Sequence, residues 1–263
     1  MRQVVVGVHG INNHRPKLSP EEVALGLSRR WASALGGDVD MTVAYYAHHL
    51  HKTVQQSSVD PDLLDEEEQE LLLGWATELL GPVNAMNLGL VPIRQLIEAM
   101  AGSKIAMAVA EPLITLATRE VRSYLKRRDR RDNARDHVAG VVRERRPSVV
   151  IAHSLGSVVA YEALCANPDL EIDLLITLGS PLAIRRMVFD RLEPNPNGVR
   201  PVPRPGNVKR WVNVADYGDI VAVPYKLANA FQVDADLDVD LGLAFHKVEA
   251  YLESDQVRGL LPR

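Results

Sequence analysis

VVIAHSLGSVVAYEAL, residues Val149 to Leu164, joins an apolar run, a short Ala-His-Ser-Leu-Gly interruption and a second apolar run. The first run has the β-branched character of a buried strand, and the second is spaced as a helix. Ser154 sits at the junction, where the chain must turn sharply. Its neighbours two residues away, Ala152 and Gly156, are small, as a strained strand-to-helix turn requires. Two readings follow from this stretch alone. Ser154 is either a nucleophile presented on the turn or a small residue capping the following helix.

Outward from this stretch, strands and helices alternate. Gln3 to Val8 is a nearly all-apolar β-branched run, expected to be a strand covered on both faces. Ser19, Pro20 and Glu22 form a capping-box pattern for a helix carrying Val23, Leu27 and Trp31 at four-residue spacing. Asp40 to Ala47, Ile172 to Pro181 and the VKRWVNVAD segment ending at Asp216 read as further strands. The segment from Phe231 to Leu241 alternates apolar and acidic residues, which predicts a half-exposed strand, and FHKVEAYL from Phe245 to Leu252 predicts a helix. This alternation argues for an α/β fold with a mostly parallel sheet flanked by helices.

Residues 48–118 interrupt the pattern. They carry an acidic run, several apolar stretches and Gly and Pro punctuation, and they read as a helical cap or lid inserted into a single domain spanning residues 1–263. The basic segment from Tyr124 to Arg146 then returns to helical spacing, with Val138, Val141 and Val142 as a sheet-facing edge. The most apolar stretch, Ala99 to Ala117, contains Lys104, Glu111 and Pro112, whereas a bilayer span needs about 20 mainly apolar residues. Spanning is therefore rejected, and peripheral contact of the cap with a membrane surface stays open.

Composition bounds the function. A formal charge of -4 gives no footing for nucleic-acid binding. The single cysteine, Cys165, rules out an intrachain disulfide framework and fits a reducing, cytoplasmic compartment. The N-terminal apolar run is too short for a signal peptide and is read as a strand. In AHHLH, residues 47 to 51, three histidines at this spacing do not share one face of a strand or helix, so no metal site is expected there. The charge-mixed KRRDRR run reads as a solvated helix face, and Cys165 as a small buried side chain.

A serine nucleophile needs a base, a carboxylate to orient that base, and N–H donors for the oxyanion. Downstream of Ser154, Asp216 and Asp219 stand at a strand end, and His246 is the one histidine left; the other seven precede the serine. Upstream, His9 and Gly10 end a strand. This flexible turn is expected to turn a backbone N–H, that of Ile11, toward the oxyanion, with the Leu155 N–H, directly after the serine, as the second donor. His9 is read as shaping this loop, not as transferring protons.

Together, VHGI, AHSLGS, TLGSPL, NVADYGDIV and FHKVEAYL resemble the corresponding segments of α/β-hydrolases of the lipase and esterase kind, across nearly all of the chain except the insertion. Ala152 stands where that family usually has glycine. The resemblance implies a shortened sheet of about six strands, lacking the first two of the larger fold. It assigns Ser154 as nucleophile, Asp219 in preference to Asp216 as the orienting acid, and His246 as general base. Gly10, Ile11 and Leu155 become oxyanion and substrate-binding residues. The implied reaction is hydrolysis of a carboxylic ester through an acyl-enzyme, on a small ester or lipid with an apolar acyl part, with no cofactor or metal. Thioesterases, acyltransferases and peptidases use the same machinery, and a non-catalytic binding module on this fold is the reading from another class.

Overall fold

The computed structural model of the chain describes residues 2–50, 59–81, 91–102 and 105–261. Six strands form one parallel sheet: β1 (Gln3–Val8), β2 (Val39–Ala44), β3 (Val149–His153), β4 (Ile172–Leu178), β5 (Val208–Asp216) and β6 (Ala235–Val239). Their order across the sheet is β2-β1-β3-β4-β5-β6. β1 and β3 lie inside the sheet, and β3 is buried at all five positions. That is why these segments are unbroken apolar runs.

Successive side chains on a strand point to opposite faces, and the two faces build two cores. Val5, Val149 and Ile151 pack on one side with Val23, Leu27 and Trp31 of α1 (Pro20–Ala34), and with Tyr251 and Leu252 of α8 (Val248–Glu253). The capping box read from Ser19 and Glu22 is present at the start of α1. On the other side, Val6, Val8, Val150 and Ala152 pack against the remaining long helices. Those are α3 (Glu66–Leu80), α4 (Ile93–Ala101), α5 (Met107–Lys126), α6 (Arg128–Arg145) and α7 (Leu155–Ala166). Two short helices, α2 (Ala47–Leu50) and α9 (Asp255–Arg258), complete the set among the described residues.

The second strand ends sooner than the sequence suggests. Tyr45 and Tyr46 leave the sheet because Tyr46 turns back over β1: its ring stacks on His9 at 4.3 Å and its hydroxyl donates to the His9 carbonyl at 2.9 Å. The predicted edge of α6 holds at Val138 and Val142, which are buried. No helix among the described residues is long and apolar enough to cross a membrane.

The insertion is tied into the fold. Leu71, Leu72 and Trp75 of α3 are fully buried in the same core as Val150 and Ala152. The Trp75 Nε1–H donates to the carbonyl of Ile220 at 2.8 Å. Farther along, the Tyr124 hydroxyl donates to buried Glu162 at 2.6 Å, and Arg131 completes a forked ion pair with the same carboxylate. On the outer face, Arg94 of α4 gathers Asp60, Asp62 and Glu111.

The chain leaves β1 toward β2 on one side, and β3 begins on the other side of β1. The strand order therefore reverses between β1 and β3, and the crevice outside the carboxyl ends of strands at such a point is where open α/β sheets bind ligands. His9-Gly10 follows β1 there and Ser154 follows β3.

Candidate active site

Ser154 is built into this crevice by a backbone that few residues adopt. Its φ of 52° and ψ of −132° lie in the left-handed half of conformational space, a geometry that costs roughly 1–3 kcal/mol for a residue with a side chain. The Ser154 N–H donates to Leu178 of β4 at 2.9 Å, which fixes the turn against the neighbouring strand. Its hydroxyl makes no capping bond to α7. The tightness of the turn explains its small residues. A Cβ on Gly156 would lie 2.3 Å from the His9 carbonyl oxygen and 2.4 Å from that of Val8. On Gly10 it would lie 2.6 Å from the Ser154 Cβ. Gly156 lets α7 start against β1, and Gly10 lets the β1 loop pass over the serine.

Two loops bring the other groups in. The His246 Nε2 lies 3.0 Å from Ser154 Oγ, and its Nδ1 lies 2.8 Å from Asp219 Oδ2. With Nδ1–H donating to the carboxylate, Nε2 is left as the acceptor facing the hydroxyl. Asp219 is buried, and its other oxygen accepts the Val221 N–H at 2.9 Å. Asp216 has a different environment. Its Oδ1 accepts from the Gly218 N–H and its Oδ2 from the Leu241 N–H, both at 2.6 Å. Asp216 thus holds together the loop after β5 and the loop that leads to His246. The structure brings Ser154, His246 and Asp219 into one hydrogen-bonded chain and leaves Asp216 beside it.

Tyr251 was not singled out from the sequence, where it reads as an apolar-face residue of a short helix. Its hydroxyl accepts the Asp216 N–H at 3.0 Å and donates to Asp219 Oδ2 at 2.9 Å. Burial, together with the Asp219 charge, pushes its pKa far up, so it remains a donor. Trp75 was also missed; its bond to Ile220 steadies the residue directly after Asp219. His153, next to the serine, lies with its ring 4.8 Å from that of His246, and burial keeps it neutral well below the usual histidine range.

On the β1 side, His9 is fully buried, and burial lowers its pKa to about 4. Its Nε2 accepts the Tyr46 N–H at 3.1 Å, and its Nδ1 lies 2.7 Å from the Gly10 carbonyl. Both contacts require the neutral Nδ1–H tautomer. Ile11 follows, largely buried, and Leu155 opens α7, where a first-turn N–H has no helical carbonyl to meet.

A groove of about 400 Å³ opens beside Ile11 and His246. Its walls are apolar and come mainly from Val109, Leu113 and Leu116 of α5 and from Phe245. Grooves of about 490 and 560 Å³ elsewhere touch none of the site residues; the groove of about 400 Å³ is the one that adjoins Ile11 and His246.

The histidines of AHHLH lie apart from this site. His48 and His49 are on α2, their rings 3.9 Å apart and each 5.6 Å from that of His137; His51 lies outside the described residues. Among the described residues no group of three or more His, Cys, Asp or Glu side chains is arranged to hold a metal ion. Cys165 is only partly buried, and burial pushes its thiol up to about 11, which makes it a poor nucleophile.

Set against family models, curated proteins and solved structures, the chain finds no match in any of the three.

Proposed function

We propose that the chain is an α/β-hydrolase-fold serine hydrolase that cleaves carboxylic esters with an apolar acyl part. The observation that carries this reading is the unbroken hydrogen-bonded series Ser154–His246–Asp219 at the point where strand order reverses. A binding module has no use for a serine held at positive φ with its hydroxyl on a correctly oriented imidazole. The reading is further supported by the parallel six-strand sheet, which matches the length the resemblance implies.

The chemistry follows from these contacts. Ser154 Oγ attacks the ester carbonyl while His246 Nε2 takes its proton. Asp219 keeps Nδ1 protonated and stabilises the imidazolium that forms. The Ile11 and Leu155 N–H groups receive the oxyanion of the tetrahedral intermediate. His246 then passes its proton to the leaving alcohol, and the acyl-enzyme remains. Water, activated by the same imidazole, releases the acid and restores the serine. No step calls on a metal or organic cofactor.

The substrate class rests on the groove beside Ile11 and His246, whose α5 wall suits a hydrocarbon chain. Leu243, 91% exposed, and Val109, 54% exposed, stand on its rim. A peripheral membrane contact through the cap would use this rim at Val109; a Val109→Asp variant that sediments with phospholipid vesicles as completely as wild type contradicts it. The direct test of substrate class is a series of 4-nitrophenyl esters graded in acyl length. Higher kcat/KM on medium or long chains than on acetate is expected; a preference for acetate contradicts the apolar-substrate reading.

A further inference from the structure

The oxyanion loop, Gly10 to Asn13, owes its shape to side chains outside the hydrogen-bonded series. A trans peptide holds its N–H opposite its C=O, so the direction of the Ile11 N–H is set by what grips the Gly10 carbonyl. Two donors grip it: His9 Nδ1–H at 2.7 Å and Asn13 Nδ2–H at 3.1 Å. Asn13 Nδ2 also donates to the Ile11 carbonyl at 2.9 Å. The next peptide is held at its other end, where the Asn12 N–H donates to Glu120 Oε1 at 2.9 Å. Glu120 is 2% exposed and sits on α5, the helix that leads out of the insertion and walls the groove. Asn12 itself adopts φ 59°, a left-handed conformation that asparagine accepts more readily than most residues.

We infer that Asn13 and Glu120 are positioning residues for the reaction: they clamp two successive peptides so that the Ile11 N–H faces the developing oxyanion. The inference rests on the hydrolase reading above and extends it. It also gives α5, the helix that leads out of the insertion, a task besides walling the groove, because its Glu120 supplies one jaw of the clamp. Neither residue lines the groove beside His246. Their effect is on the placement of a donor that matters most in the transition state, so it falls on kcat and leaves KM nearly alone.

The test uses the whole chain with 4-nitrophenyl butyrate and compares wild type, Glu120→Ala, Glu120→Gln and Asn13→Asp. Glu120→Ala loses the acceptor, and kcat is expected to fall at least about tenfold with KM within about twofold. Glu120→Gln keeps an acceptor oxygen and is expected to recover most of that loss. Asn13→Asp keeps the shape but has no N–H to donate, so it should fall like Glu120→Ala. Asn13 is less buried than Glu120, so this variant decides the matter should Glu120→Ala not fold. Amide hydrogen exchange gives the readout free of activity: Asn12 should exchange faster in Glu120→Ala than in wild type.

Unchanged kcat in Asn13→Asp and Glu120→Ala, with an active wild type, overturns the clamp and leaves the hydrolase reading standing. Glu120→Gln as slow as Glu120→Ala also overturns it, since the acceptor oxygen is then not what matters. A wild type no more active than Ser154→Ala sinks the hydrolase reading, and the positioning role with it.

Discussion

The Tyr251 hydroxyl donates to the same oxygen of Asp219, Oδ2, that receives the His246 ring N–H, at 2.9 and 2.8 Å. The phenol in turn accepts the Asp216 N–H. One side chain on α8 therefore fixes the carboxylate and ties it to the end of β5. Tyr251→Phe removes both bonds while keeping the packing of the ring. A stability loss of about 1–3 kcal/mol is expected from the unpaired Asp216 N–H, together with a several-fold drop in kcat. Thermal melts and steady-state kinetics check it; an unchanged kcat would mean that Asp219 needs no support from the phenol.

The two neighbouring aspartates should separate cleanly. Asp219→Asn places an amide against the His246 ring and disturbs its tautomer, so kcat should fall by about 10²–10⁴ with the fold intact. Asp216→Asn gives up acceptor capacity toward the Gly218 and Leu241 amides. It is expected to cost about 1–3 kcal/mol of stability and to reduce activity less. Equal losses of activity, or a larger one for Asp216→Asn, reverse the assignment.

Gly156→Ala should not give the gain that alanine ordinarily brings to a helix. The added methyl would meet two backbone carbonyls of the β1 strand and its loop at 2.3 and 2.4 Å, and backbone cannot swing away as a flexible side chain can. Destabilisation of about 1–3 kcal/mol or more is expected, with activity lost as the turn that carries Ser154 shifts. A variant as stable and active as wild type would contradict the tight-turn argument.

Stability should depend on pH through His9. Its pKa is lowered from 6.5 to about 4 by burial, so between those values the unfolded chain binds the proton and the folded one does not. The contribution is fully present above pH 6.5 and is lost as pH falls toward 4, by roughly 3 kcal/mol. Denaturant unfolding at several pH values measures it, and His9→Gln should flatten the slope. Some slope should persist in the variant, because His153 is also held neutral by burial. Identical slopes in the two proteins would show that His9 does not carry the effect.

The parts of the site written into local sequence were the legible ones. An apolar run that meets Ala-His-Ser-Leu-Gly must turn within a few residues, and small side chains two residues either side of Ser154 suit that turn, so the turn and its strand could be read directly. The capping box at Ser19 and Glu22 is equally local. His246 could be singled out because it is the one histidine after the serine. The division of labour between Asp216 and Asp219 was harder, because both stand in one loop and only the fold decides which meets the imidazole. Tyr251 and Glu120 carried no signal, and Asn13 read only as a turn residue within reach of substrate. Tyr251 lies on an apolar helix face, Asn13 in an ordinary polar turn, and Glu120 meets Asn12 across 108 residues of chain. The insertion read either as a packed cap that completes the core or as a lid, and the full burial of its Trp75 places part of it in the core.

The hydrolase reading stands on Ser154 being an activated nucleophile, and the most direct measurement is covalent labelling with a fluorophosphonate, mapped by peptide mass spectrometry. Wild-type protein should carry a single adduct on the peptide containing Ser154, and Ser154→Ala and His246→Ala should carry none while remaining folded. Folded wild-type protein that takes up no label, or that is labelled at another residue, would contradict the proposed function.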